Sequence, residues 1–157
     1  MSTTGRDKAT EIEHGPYGFA VTTPLSYARA VEAVVGALKA EGFGVLTEID
    51  VRDTLRKKLD VDFQQYIILG ACNPQLAYRG LEAEHDLGLL LPCNVVVHEH
   101  AGGSRVAFLD PGAMMGVAGN QALSPVADEA RARLQRVAAT LKEEAYSFKL
   151  KEAASES

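Results

Sequence analysis

Tryptophan is absent from this sequence, and cysteine occurs only twice in 157 residues. Two thiols are too few for the disulfide framework that holds small secreted domains together, so stability has to come from a packed core. Long apolar stretches are missing too. The longest, such as Ile67 to Leu69 and Leu89 to Leu91, fall far short of the roughly 20 residues that cross a bilayer. The opening MSTTGRDKATEIEHG lacks the apolar stretch of a signal peptide, so a cytoplasmic protein with no membrane partner is expected. Positive charge is not in surplus either: the formal net charge is -5. A nucleic-acid surface gathers Lys and Arg to displace counterions from phosphates, so no nucleic-acid partner is expected. Familiar catalytic signatures are likewise missing, with no G-x-S-x-G, G-x-x-x-x-G-K-[ST], H-E-x-x-H or C-x-x-C. That weighs against a conventional hydrolase, kinase or dehydrogenase and leaves open an enzyme built on one cysteine.

What is present fits one globular core, with 46% hydrophobic and 24% charged residues, a balance far from that of a disordered chain. Residues 1–14 and 149–157 are polar and aperiodic and are expected to fray, leaving a single α+β domain over 15–148. Tyr17 to Thr22 reads as a strand, and Thr23-Pro24 as a helix start whose buried stripe is Leu25, Ala28, Val31, Val35 and Leu38. Gly42 closes that helix. Val45 to Val51 alternates as a strand with one face on the core. Asp53 is placed to cap a short helix carrying Leu55 and Leu59 beside Arg56, Lys57 and Lys58. Tyr66 to Cys72 is apolar on both faces and predicts a central strand, followed by a helix from Asn73-Pro74 through Leu76, Ala77, Leu81 and Glu84. Cys93 to Ala101 and Ser104 to Asp110 form a hairpin about Gly102-Gly103, pairing His100 with Arg105 and His98 with Ala107. Val95, Val97, Val106 and Phe108 then share the core face, and His98, His100 and Arg105 the polar one. Asp110 to Leu123 reads as a loop. Ser124-Pro125 starts a last helix with Ala127, Ala130, Leu134, Val137 and Leu141 inward.

Three pieces carry a resemblance: Gly70-Ala-Cys-Asn-Pro74, Leu91-Pro-Cys93 and the segment ending in Lys58 within GFGVLTEIDVRDTLRKKLD. With the downstream LDPGAMMG, the chain from roughly residue 17 to 145 resembles the domain-of-unknown-function 302 family. The resemblance implies a fold in the TATA-binding-protein-like class: a curved, mainly antiparallel sheet with helices on one face. It implies no activity and no cofactor.

The candidate site gathers around the cysteines. Cys72 precedes a helix start, where free amides and the helix dipole favour an anion, so its thiol pKa is expected to fall. Cys93 is its candidate partner and Lys58 a candidate supporting charge. The plainer account is that both thiols are small core hydrophobes. Asn73, Pro92, Asp110, Met114 and Met115 are candidate ligand-binding residues. The two methionines beside two cysteines would suit Cu(I), although methionine more often fills gaps. His98 and His100 lack a third ligand, so no metal is assigned there. Three readings follow. The first is a module that binds a small ligand or soft metal between the sheet and the Asp110 to Leu123 loop. The second is a thiol redox enzyme or sulfur carrier using Cys72. The third is a homodimer with a structural or regulatory role.

Overall fold

The computed structural model describes residues 11–156. Six strands make one antiparallel sheet in the order β1-β2-β6-β5-β4-β3: β1 Glu13–His14, β2 Gly18–Thr23, β3 Gly44–Asp50, β4 Tyr66–Cys72, β5 Cys93–His100 and β6 Gly103–Leu109. The helices are α1 Tyr27–Ala40, α2 Val51–Leu59, α3 Pro74–Ala83, α4 Pro111–Gly116 and α5 Ser124–Ser155. Short 3₁₀ segments lie at His85–Leu90 and Gln121–Leu123. The chain is thus the expected α+β sheet-and-helix domain. No helix among the described residues is long and apolar enough to cross a membrane.

Alternation along the strands decides which side is covered. Phe19, Val21, Leu69, Val95, Val97, Val106 and Phe108 all turn to one face, where they bury against Ala30, Val34 and Leu38 of α1 and Leu134, Val137 and Leu141 of α5. The inward set expected for β5, β6 and α5 is therefore the observed one. A smaller cluster, built on Leu76, Leu87, Met115, Leu123 and Val126, lies where α3, α4 and the start of α5 meet.

Several local expectations are corrected. The α1 cap is Ser26, whose side chain accepts from Arg29 N, while Thr23 Oγ1 accepts from Leu25 N at 3.2 Å in the turn before it. Ser104 Oγ donates to Leu25 O at 2.9 Å and pins that crossover to the sheet, which delays the helix by three residues. Of the expected stripe Leu25 and Leu38 are buried and Val31 and Val35 pack partly buried against the core, Ala28 is exposed, and Ala30, Val34 and Ala37 complete the buried face. Strand β3 is an edge strand whose Leu46 and Ile49 are exposed, and Val51 belongs to α2. The α2 cap is Asp50, which accepts from Asp53 N at 2.9 Å, so Asp53 sits in the first turn and pairs with Lys57. The supposed loop after β6 begins with α4, capped by Asp110 Oδ1 accepting from Gly112 N at 2.9 Å. At the far end α5 stays helical through Ser155, across residues expected to fray. At the other end Glu13 and His14 pair with β2, whereas residues 1–10 lie outside the described part.

The β5–β6 turn shows why glycine position alone misleads. The turn residues are Ala101 and Gly102, with φ of 47° and 80°, and His98 pairs with Arg105 and His100 with Gly103. A shift of two residues preserves every face, because strand side chains repeat with period two. Gly103 serves a different need: a Cβ there would come within 2.2 Å of Thr23 O and 3.0 Å of Pro24 Cα. Gly103→Ala should therefore cost about 1–3 kcal/mol as an overpacking change. A urea unfolding midpoint equal to that of the unsubstituted chain would show instead that β2 yields freely.

Candidate functional site

The cysteines meet at one end of the sheet. Ala71 of β4 pairs with Cys93 of β5, so Cys72, the last residue of β4, lies beside the start of β5. Asn73 caps α3 as expected, with Oδ1 accepting from Leu76 N at 3.2 Å and Pro74 in the first turn. Cys72, Asn73, Cys93 and Met115 line one crevice, closed in by Phe43, Leu76 and Leu91. Its volume is only about 20 Å³, room for about one water and not for an organic ligand.

The thiols are not activated. Burial raises the Cys72 pKa above its ordinary value, the opposite of the fall expected from the helix start. Desolvation disfavours the charged thiolate and is the one cause acting on it, while Asn73 Oδ1 occupies the Leu76 amide of that helix end. Cys93 is pushed up to about 11, first by burial and then by the neighbouring Cys72. Lys58 supplies no compensating charge. Gly44 pairs with Cys72 but Asp50 with Ile67, so α2 starts at the opposite end of β4, roughly 17 Å away at strand rise. Asp110 is committed to the α4 cap and to Arg131 at 3.4 Å. Pro92 and Met114 do not line the crevice, and Pro92 packs across Gly70 instead. A depression of about 360 Å³ does lie along the segment expected to form a pocket loop, lined by Met115 from the expected set and by Asp128 as its one charged group.

A better-furnished cavity lies on the sheet face opposite α1 and α5. It measures about 400 Å³ and is floored by Val96 and Ala107, with Tyr66, Asn94, His98 and Arg105 around them and residues 13–17 forming one wall. Strand pairing assembles it: Tyr66 sits opposite His98, which sits opposite Arg105. The Tyr66 and His98 rings stack with centroids 5.4 Å apart and planes 3° from parallel. His98 Nδ1 lies 2.7 Å from Glu99 O. A carbonyl only accepts, so Nδ1 is the donor in that contact. The Arg105 guanidinium donates to Glu13 Oε2 at 2.6 Å across the cavity wall.

The sequence already places His98 and Arg105 on one polar face. What it could not supply is Tyr66, which joins them only through the β4–β5 register, or the wall made by a two-residue strand.

An open antiparallel sheet with helices on one face and a lined cavity on the other defines an α+β domain of the sheet-and-helix class. The chain belongs to the DUF302 family, described as a domain of unknown function, whose sequence profile matches residues 19–141. The crystal structure of an uncharacterized conserved DUF302 protein from Bacillus stearothermophilus is similar at 32% identity with a TM-score of 0.71, over 80% of this chain and 95% of that one. No curated protein matches the chain.

Proposed function

We propose that this is a cytoplasmic small-ligand-binding module that takes a planar organic anion into the cavity of about 400 Å³ on the helix-free sheet face. The observation that supports it most is the arrangement Tyr66–His98–Arg105: two stacked rings ending at a guanidinium over an apolar floor. The volume falls within the range of roughly 300–1,000 Å³ typical of small-molecule sites. Val96 and Ala107 supply apolar contact, the stacked rings an edge for a second ring, and Arg105 a fork matched to a carboxylate or sulfonate. Glu13 already sets a carboxylate on that guanidinium, which marks the chemistry the position accepts. The reading as a reactive thiol has less support, because both thiol pKa values lie above their ordinary range.

Anilinonaphthalene sulfonate is a suitable probe, being aromatic, planar and anionic. It should bind the folded chain one to one with saturable fluorescence. Arg105→Ala should weaken it about 10- to 100-fold, the worth of roughly 1.5–3 kcal/mol for a hydrogen bond to a charged group. Filling the floor with Val96→Phe should abolish binding while circular dichroism stays native. Binding of equal strength in both variants would defeat the proposal.

A further inference from the structure

The charges around the open-face cavity narrow the class of ligand. We infer, resting on the binding reading above, that Glu13 is the residue that sets specificity there. The cavity then takes a planar ring whose acid group has a cationic group beside it, the chemistry of an aromatic amino acid, in preference to a plain aromatic anion. Histidines apart, the described lining holds one guanidinium, Arg105, and one carboxylate, Glu13, bonded at 2.6 Å. Register turns both to the same side. Phe19 and Val21 belong to the covered face, so Ala20 faces the cavity, with Glu13 paired to it on one side and Ala107 on the other. Arg105, two residues from Ala107, shares that face. Ile12 packs on the core, and the His14 ring lies 6.2 Å from that of Phe19. These neighbours hold β1 to the covered side and present Glu13 to the open one, which makes its carboxylate a fixed part of the cavity wall. The small side chains of Ala20 and Ala107 let the arginine reach across β2 to it.

Charge balance then separates one ligand from another. A guanidinium offers five donors in a fork, and Glu13 engages it through Nη1. A ligand carboxylate received on the rest of the fork therefore stands beside a carboxylate already there, and the two repel. A ligand that ejects Glu13 instead leaves that carboxylate without its partner. A plain anion meets one cost or the other. A cationic group next to the ligand's acid removes both, because it pairs with Glu13 while the acid pairs with Arg105. Glu13 is the more exposed partner, at 52% of its side chain against 29% for Arg105, so it is the one free to swing from guanidinium to ammonium. The ligand's ring then lies on the Val96 and Ala107 floor beside the stacked Tyr66 and His98. Selectivity here is a difference of affinities produced by a like charge set against the wrong ligand.

The chain has no tryptophan, so indole fluorescence reports added ligand alone. Anisotropy titrations of the full chain with tryptophan, indole-3-propionate and tryptamine compare, on one ring, the zwitterion, the acid without the amine and the amine without the acid. Tryptophan should bind tightest. Glu13→Gln keeps the shape and removes the charge. It should weaken tryptophan and tighten indole-3-propionate, each by about threefold to fivefold, the worth of a partly exposed charge pair. Their affinity ratio should therefore move by about 10- to 25-fold, with native circular dichroism. Glu13→Asp, which retains the charge, should keep the order seen in the unsubstituted chain. Three results overturn the role of Glu13 while anilinonaphthalene sulfonate still binds and the cavity reading stands. They are a ratio unchanged in Glu13→Gln, indole-3-propionate bound as tightly as tryptophan by the unsubstituted chain, and no indole bound at all. If the sulfonate also fails to bind, both readings fall together.

Discussion

Phe108→Ala should lower the unfolding free energy by about 3–5 kcal/mol, the cost of truncating a large aromatic in a packed core. Phe108 is 2% exposed, and its ring stacks on Phe19 with centroids 5.4 Å apart and planes 17° from parallel. It pairs with Phe19 of β2 on one side and Val95 of β5 on the other, so its loss opens a void at the centre of the sheet's covered face. Against a total stability of roughly 5–15 kcal/mol, that is a large share. The melting temperature should fall by on the order of 10 °C for a chain of this size. Arg105, three residues earlier on the same strand, should behave in the opposite way. Its ion pair with Glu13 is partly exposed and worth about 0–1 kcal/mol, so Arg105→Ala should leave the urea midpoint nearly unchanged while weakening the anionic probe. A Phe108→Ala loss below about 1 kcal/mol would mean that β2 and α5 close the void, and that the covered face is more plastic than its burial implies.

That contrast between two faces of one strand is also what the sequence conveyed best. Period-two alternation placed Val95, Val97, Val106 and Phe108 inward and His98 and Arg105 outward, and a two-residue error in the turn left both sets intact. The start of α3 at Asn73-Pro74 was legible because cap and proline act locally. Thr23-Pro24 offered the same local signal and misled, because Ser104, far along the chain, holds Leu25 outside the helix. Strand β3 misled for a related reason: its alternation is real, but whether an alternating strand is central or at the edge depends on partners that the strand does not encode. The sulfur cluster was half legible. Cys72, Cys93 and Met115 are candidates by residue type, while Lys58, a candidate for its charge, belongs to α2, which starts at the other end of β4. The open-face cavity was the least legible feature, since its chemistry belongs to no contiguous motif and arises from the register of strands β4, β5 and β6.

Cys93 should resist alkylation at pH 7 by about two orders of magnitude relative to a free thiol, and its burial should make stability fall in alkali. With a pKa of about 11, the thiolate fraction at neutral pH is on the order of 10⁻⁴, against a few per cent for an unperturbed cysteine. Iodoacetamide mapped by mass spectrometry should therefore label Cys72 first and slowly, and Cys93 only on unfolding. The sign of the stability effect follows from which state ionises first. Below the ordinary value of 9.0 both states hold the thiol protonated, and the full stability is present. As pH rises past it, the unfolded chain loses the proton while the folded chain keeps it, so the unfolded state gains and stability drains away until about pH 11. The total is roughly 2–3 kcal/mol at 1.36 kcal/mol for each tenfold change. Cys72, whose charge also acts on Cys93, shifts in the same direction for the same reason, burial, and adds to the loss. Tyr27 and Tyr78 also ionise above their ordinary values, so the measurement that isolates the thiol is a difference. Urea midpoints at pH 7 and pH 10.5 should fall further in the unsubstituted chain than in Cys93→Ala. Parallel pH profiles for the two proteins, or rapid native labelling of Cys93, would show that water reaches this sulfur and that the crevice is not the closed apolar space its lining describes.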